Sequence, residues 1–177
     1  MNFCSECGAK VSQKIPEGDT HLRHVCDECD TIHYINPKLI AGSLPISGDR
    51  VLLCKRAIEP RYGLWTLPAG FMENDETIAE GAARETQEEA HAEVENLELY
   101  TVTSIPSVSQ IHVFMKGDLV DDRFAAGEES LEVALFTEDE IPWDELAFSA
   151  VKATLKHYFE DRKTGVFPVH TTDIKRW

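Results

Sequence analysis

Hydrophobic and polar positions along the chain follow two regimes, and the change falls near Lys38. Downstream of it the pattern is that of a core. Leu39–Ile46 and Arg50–Arg56, separated by Ser47-Gly48-Asp49, predict two strands of a hairpin. Pro45, which cannot donate to a ladder, predicts an edge or a bulge. A loop then runs through Glu59-Pro60-Arg61-Tyr62-Gly63 to Trp65-Thr66-Leu67-Pro68-Ala69-Gly70. Thr77–Ala90 is dense in Ala, Glu, Gln and Arg, a helical composition, and Thr77 with Glu80 has the spacing of a capping box. Strand-like stretches follow at Leu97–Ile105, Ser109–Lys116 and Leu131–Phe136. Ser149–Phe159 sets Val151, Leu155 and Tyr158 or Phe159 on one stripe, which predicts a closing amphipathic helix. Strands precede and follow a helix, so the fold class is mixed α/β (α+β), a sheet between helices.

Upstream, residues 1–36 hold four of the five cysteines with few large apolar residues, and so short a segment needs a staple to fold. Cys4-x-x-Cys7 and Cys26-x-x-Cys29 form two knuckles able to surround one zinc ion tetrahedrally, the spacing of a zinc ribbon. Disulfides compete as a reading, but the start of the chain lacks the basic segment and apolar run of a secretory signal. A closed four-sulfur site leaves no open position, so this zinc is expected to be structural. His21, His24 and His33 read as surface or packing residues, and Cys54 as a small core hydrophobe.

The net charge of −15 argues against binding a nucleic-acid duplex, whose phosphates require Lys and Arg. It permits an anionic substrate met through divalent cations. No apolar run is long enough to cross a bilayer, so a cytoplasmic protein without membrane contact is expected.

The chemistry concentrates between Gly70 and Glu89. On a helix Glu85, Glu88 and Glu89 stand at i, i+3 and i+4, so their carboxylates share one face and repel. A Glu-rich solvated face would look the same; a divalent cation among the carboxylates would instead offset the repulsion, and hard oxygen donors suit Mg²⁺ or Mn²⁺. Arg84 is placed to pair with Glu76 or a neighbouring carboxylate and hold the turn. Gly70, Glu76, Arg84, Glu85, Glu88 and Glu89 match the Nudix box, Gly-x5-Glu-x7-Arg-Glu-apolar-x-Glu-Glu-x-Gly-apolar, at every charged position. A chance match to those six is on the order of 10⁻⁶ per starting position, which outweighs the solvated-face reading. Thr86 and Ala92 are weak fits to the apolar positions. His91 replaces the glycine that normally ends the helix in a left-handed conformation.

With the ribbon in front, the chain resembles zinc-ribbon Nudix hydrolases along nearly its whole length. The resemblance implies an α/β/α sandwich over 37–165, after a ribbon over 1–36 and before a tail over 166–177. It implies Mg²⁺ held by Glu85, Glu88, Glu89 and the carbonyl of Gly70, with a further carboxylate from Gly127-Glu128-Glu129-Ser130-Leu131-Glu132. Glu129 is the first choice there, also as a catalytic group, and Glu132 the reserve. Arg56, Tyr62, Trp65 and Phe148 are candidate substrate contacts, the three aromatics for stacking on a ring, although each also fits a packing role. Thr103–Gln110 lacks the aromatic-proline run of NADH pyrophosphatases. Leu52–Arg56, the Gly63–Gly70 lead-in and Leu146–Ser149 are more similar to FAD and ADP-ribose diphosphatases. The expected reaction is therefore hydrolysis of the diphosphate in FAD or ADP-ribose. The alternatives are an NADH/NAD pyrophosphatase, a catalytically reduced nucleotide-sensing regulator, and a ribbon module for a protein partner. A homodimer is expected by family analogy alone.

Overall fold

The computed structural model describes residues 1–175 and divides into two compact units, Met1–Pro37 and Lys38–Trp177. In the first, strands β1 (Val11–Lys14), β2 (Arg23–Cys26) and β3 (Ile32–His33) form an antiparallel sheet. Its buried apolar side chains, among the described residues, are Cys4, Val25 and Cys26. That is too little apolar surface to order a segment of this length.

The second unit begins with β4 (Lys38–Ser47) and β5 (Arg50–Arg56), the expected hairpin, with Ser47 opposite Arg50. The short strands β6 (Trp65–Thr66) and β7 (Ala69–Phe71) lead into helix α1 (Ile78–Ala90). Then come β8 (Val94–Ile105), β9 (Gln110–Leu119), β10 (Ser130–Phe136), helix α2 (Ser149–Arg162) and β11 (His170–Asp173). The sheet order is β10-β5-β4-β9-β8-β11, with β6 on β5 and β7 on β4. It is mixed: β4 runs parallel to β9 and β11 to β8, while the other pairs are antiparallel.

A core lies on each face. Leu44, Val51, Leu53, Phe114, Val151, Leu155 and Phe159 join the sheet to α2. Leu52, Cys54, Ala90, Ala92 and Leu119 join it to α1. Cys54 is buried, as expected of a core thiol. Within β4 the alternation is functional: Ser43 Oγ lies 2.6 Å from Thr86 Oγ1 on the α1 side, so Ile40, Gly42 and Leu44 face α2.

Two expectations change. Pro45 sits on an interior strand, not an edge, with Gly117 of β9 beside it. Ser43 N donates to Pro68 O, so alternation turns the Pro45 nitrogen to the same side. There β4 lies between its β7 partners at 40–42 and its β5 partners at 46–47, and no ladder position is lost. The segment expected as a tail contributes β11, paired with Thr101–Ser104 of β8. His170 Nε2 lies 2.7 Å from Asp161 Oδ2, and Tyr100 Oη donates to the same oxygen at 2.8 Å. Arg176 and Trp177, also assigned to that tail, lie outside the described residues. No helix among the described residues is long and apolar enough to cross a membrane.

Candidate active site

Helix α1 starts where its capping box predicts. Glu80 N donates to Thr77 Oγ1 at 3.2 Å and Thr77 N to Glu80 Oε2 at 2.7 Å. It ends on His91 in the left-handed region (φ 46°, ψ 36°), whose N–H donates to Gln87 O. The conformation expected of the missing glycine is therefore kept, at the strain a β-carbon brings to it. His91 also borders the cavity described next.

That cavity measures about 820 Å³ and is lined from both faces of the sheet. Glu85, Glu88 and Glu89 of α1 reach it with Glu128 and Glu129 from the loop before β10. Glu85 and Glu89 are buried and Glu88 exposed. Burial, then the charge of Glu85, pushes the Glu89 carboxyl up to about 8, with Arg56 opposing. Burial also raises Glu85, against the pull of Arg84. Among the described residues, Glu89 Oε2 is buried without a hydrogen-bond partner. An orphaned carboxylate oxygen among other carboxylates is what a hard cation would satisfy, so these residues fit Mg²⁺ or Mn²⁺.

Arg84 organises the approach. Its Nε and Nη2 donate to Glu76 at 3.0 and 2.9 Å, Nη1 to Glu85 and Glu88 at 2.7 and 3.0 Å, and Nη2 to Phe71 O at 3.2 Å. Hydrogen bonds from Arg84, then from Glu73 N, hold the Glu76 carboxyl down at about 2. The loop 70–76 is thereby fixed to the helix. Gly70 lies where a β-carbon would overlap the Glu85 carboxylate, which explains glycine at the head of the motif.

A second clamp fixes the loop before β10. Gly127 N donates to Glu89 O at 3.0 Å and Ala125 N to Ala90 O at 2.9 Å, using carbonyls the helix end leaves unpaired. Ala57 N donates to Glu129 O at 2.8 Å. A β-carbon on Gly127 would overlap the Glu88 carbonyl. Gly127→Ala is expected to cost about 1–3 kcal/mol in urea unfolding. A variant as stable as its parent would mean that the loop is not clamped in this way.

The substrate candidates separate. Arg56 and Phe148 line the cavity, with the guanidinium 5.1 Å over the Phe148 ring and Arg56 Nε donating to Pro60 O. Trp65 does not line it: the ring is 6% exposed and packs edge-on against Phe136 in the core. Tyr62, 56% exposed, lies on the 57–64 loop outside the lining. Glu132 turns away to Lys55 Nζ at 3.9 Å, whereas the charge of Glu129 acts on both Glu85 and Glu89. Sequence reasoning missed Glu128, Gln110 and His112, all of which line the cavity. Glu128 was adjacent to the chosen residue; the other two carried no signal outside the strand register.

In the ribbon, the Sγ atoms of Cys4, Cys7, Cys26 and Cys29 lie within 4.8 Å of one another and all are free thiols. Glu6 N points at Cys4 Sγ, and Glu28 N and Cys29 N at Cys26 Sγ, at 3.4–3.5 Å. Amides aimed at sulfur favour thiolates, so the set fits zinc. His33, half-buried with Nε2 3.3 Å from Cys4 Sγ, packs beside the cluster.

A family model for the NUDIX domain matches residues 37–159, and a zinc-ribbon model described as Nudix N-terminal matches residues 2–35. A crystal structure of a Nudix hydrolase from Nitrosomonas europaea is 53% identical, with a TM-score of 0.96 over 99% of this chain and 100% of that one. The NAD-capped RNA hydrolase NudC of Pseudomonas aeruginosa is 27% identical over 94% of this chain and 59% of its own length. The human mitochondrial NAD(P)H pyrophosphatase NUDT13 is 28% identical over 94% of this chain and 45% of its own. The chain thus spans about half the length of these curated relatives. With the domain model over most of the chain and the Nitrosomonas structure over nearly all of it, this chain belongs to the Nudix hydrolase family, with a zinc ribbon ahead of the hydrolase domain.

Proposed function

We propose that the chain hydrolyses the diphosphate linkage of an ADP unit joined to a second moiety, with NAD(H) as the first substrate to test. The observation that carries this reading is the row of carboxylates around the orphaned Glu89 oxygen, with the Arg56 guanidinium in the same cavity. Nudix domains typically use Mg²⁺ or Mn²⁺, and Glu85, Glu88, Glu89, Glu129 and the Gly70 carbonyl are the groups that would hold it. When bound, such a cation offsets the charge building on the diphosphate oxygens and helps orient a water.

The chain's own groups supply the rest. A water oxygen attacks one phosphorus, the bridging P–O bond breaks, and the water proton passes to a carboxylate, Glu129 or one of the helix glutamates. The products are two monophosphates, AMP and nicotinamide mononucleotide in the case of NAD, or AMP and its reduced form in the case of NADH. Arg56 and Phe148 line the cavity, and in this reading Arg56 pairs with a phosphate oxygen and Phe148 borders a ring. Arg84 is saturated by Glu76, Glu85 and Glu88, so it acts as a positioning residue.

The names of the curated relatives favour the NADH/NAD alternative over the FAD or ADP-ribose expectation. Because several are named hydrolases of NAD-capped RNA, an NAD-capped RNA end belongs in the panel, against the exclusion of nucleic acid drawn from net charge. FAD and ADP-ribose remain a second reading on one observation. The stretch Thr103–Gln110, which ends beside the cavity, carries no aromatic-proline run. Initial rates with NADH, NAD-capped RNA, FAD and ADP-ribose at one Mg²⁺ concentration decide. NADH turned over at least tenfold faster than FAD or ADP-ribose is the expected result, and the reverse order selects the second reading. No turnover of any of them, with Mg²⁺ or Mn²⁺ present, rejects the hydrolase proposal.

A further inference from the structure

The glutamates occupy only one side of the cavity, and the side lined by β9 and α2 has a different chemistry. Ile40 pairs with His112 and Gly42 with Phe114 across the parallel β4–β9 ladder, so Ile40, His112 and Phe114 share the sheet face that α2 covers. Phe148 and Val151 complete that wall. His112 and Gln110 are the hydrogen-bonding side chains of this apolar half, joined by a 3.2 Å contact between His112 Nε2 and Gln110 Oε1.

We propose that His112, with Gln110 beside it, is the specificity-determining residue for the nucleobase, and that the base it reads is a purine, the adenine of an ADP unit. The inference rests on the reading above that the cavity takes a nucleoside diphosphate joined to another group. The diphosphate belongs with the carboxylates and their cation, which leaves the apolar half for a ring. Phe148 offers aromatic surface there, and the Arg56 guanidinium over Phe148 helps hold that ring in place. An uncharged hydrogen-bonding side chain suits a base there, because a cationic one would compete for the phosphates. Burial holds the His112 imidazole down at about 4, so at neutral pH it is an uncharged hydrogen-bonding ring, with Nε2 beside Gln110 Oε1.

The test compares a ligand that has the base with one that lacks it, and reads binding instead of turnover. AMP and ribose 5-phosphate are titrated at fixed Mg²⁺, with NMR detection, into the parent, His112→Leu and Gln110→Ala. His112→Leu should weaken AMP at least tenfold, roughly the loss of one well-placed hydrogen bond, and shift ribose 5-phosphate less than twofold. Gln110→Ala should weaken AMP about threefold in the same selective way. Equal weakening of both ligands, or unchanged AMP binding in a folded variant, overturns the proposal. Should His112→Leu not fold, unchanged AMP binding by Gln110→Ala overturns it as well. Selective loss of AMP alongside a parent that cleaves no dinucleotide supports the base site and rejects the hydrolase reading alone.

Discussion

Glu89→Gln should lower dinucleotide turnover by a factor of about 10²–10⁴ and, in Mg²⁺-free buffer, make the protein more stable. The two effects share one cause. Glu89 is 6% exposed, one of its oxygens has no partner among the described residues, and its neighbours include Glu85 and Glu129. Its carboxyl titrates at about 8 in the fold against 4.5 for the free group. A carboxyl raised in this way stabilises the fold fully below pH 4.5, and that contribution is lost as pH rises through 8. The parent's stability should therefore decline across that window, and the amide, which does not ionise, should remove this part of the slope. At neutral pH the gain is on the order of 1–3 kcal/mol. Urea unfolding of both proteins at pH 5 and pH 8, with initial rates at saturating Mg²⁺, checks both halves. A variant that keeps its rate would sink the assignment of Glu89 to the cation. One that loses its rate without gaining stability would show that the buried charge is not strained.

Loss of zinc is expected to unfold residues 1–37. Three buried apolar side chains, two of them cysteines, cannot offset the conformational entropy of this segment, whereas a structural zinc site contributes about 10–16 kcal/mol. Native mass spectrometry should find one zinc per chain. Cys26→Ser, at a fully buried ligand position, should release the metal and open the ribbon to protease, with cuts confined to this segment because Lys38–Trp177 has cores of its own. A ribbon that resists protease after losing its metal would overturn this account, as would a zinc-free protein whose cysteines are paired in disulfides.

Helix α1 was legible because everything that defines it is local. The capping box, the spacing of Glu76, Arg84 and the three glutamates, and even the left-handed end at His91 lie within about twenty residues of one another. The hairpin of β4 and β5 was legible for the same reason. What escaped the sequence depends on register between distant strands. Trp65 looked like a loop aromatic free to stack on a ligand, yet β6 pairs with β5 and turns it onto Phe136. His112 lies in an apolar run whose two faces are told apart only once β9 is aligned with β4. Phe148 reaches the cavity because it stands at the N-cap of α2, so its position depends on where that helix docks. The polar stretch His170-Thr171-Thr172-Asp173 has no hydrophobic alternation and becomes a strand through pairing alone.

That last strand has a colloidal consequence. Without β11, the outer edge of β8 would offer the unpaired amides and carbonyls of Thr101–Ser104 to any extended chain, including another copy of this one. The protein covers that edge with its own backbone and fastens the cover through Asp161 to His170, while Tyr100 from β8 shares the same carboxylate oxygen. The contact thereby moves this edge of the sheet outward to a strand of four polar residues, a shorter and less sticky template than Thr101–Ser104 within the long β8, far along the strand order from the β5–β4 region where the glutamates gather.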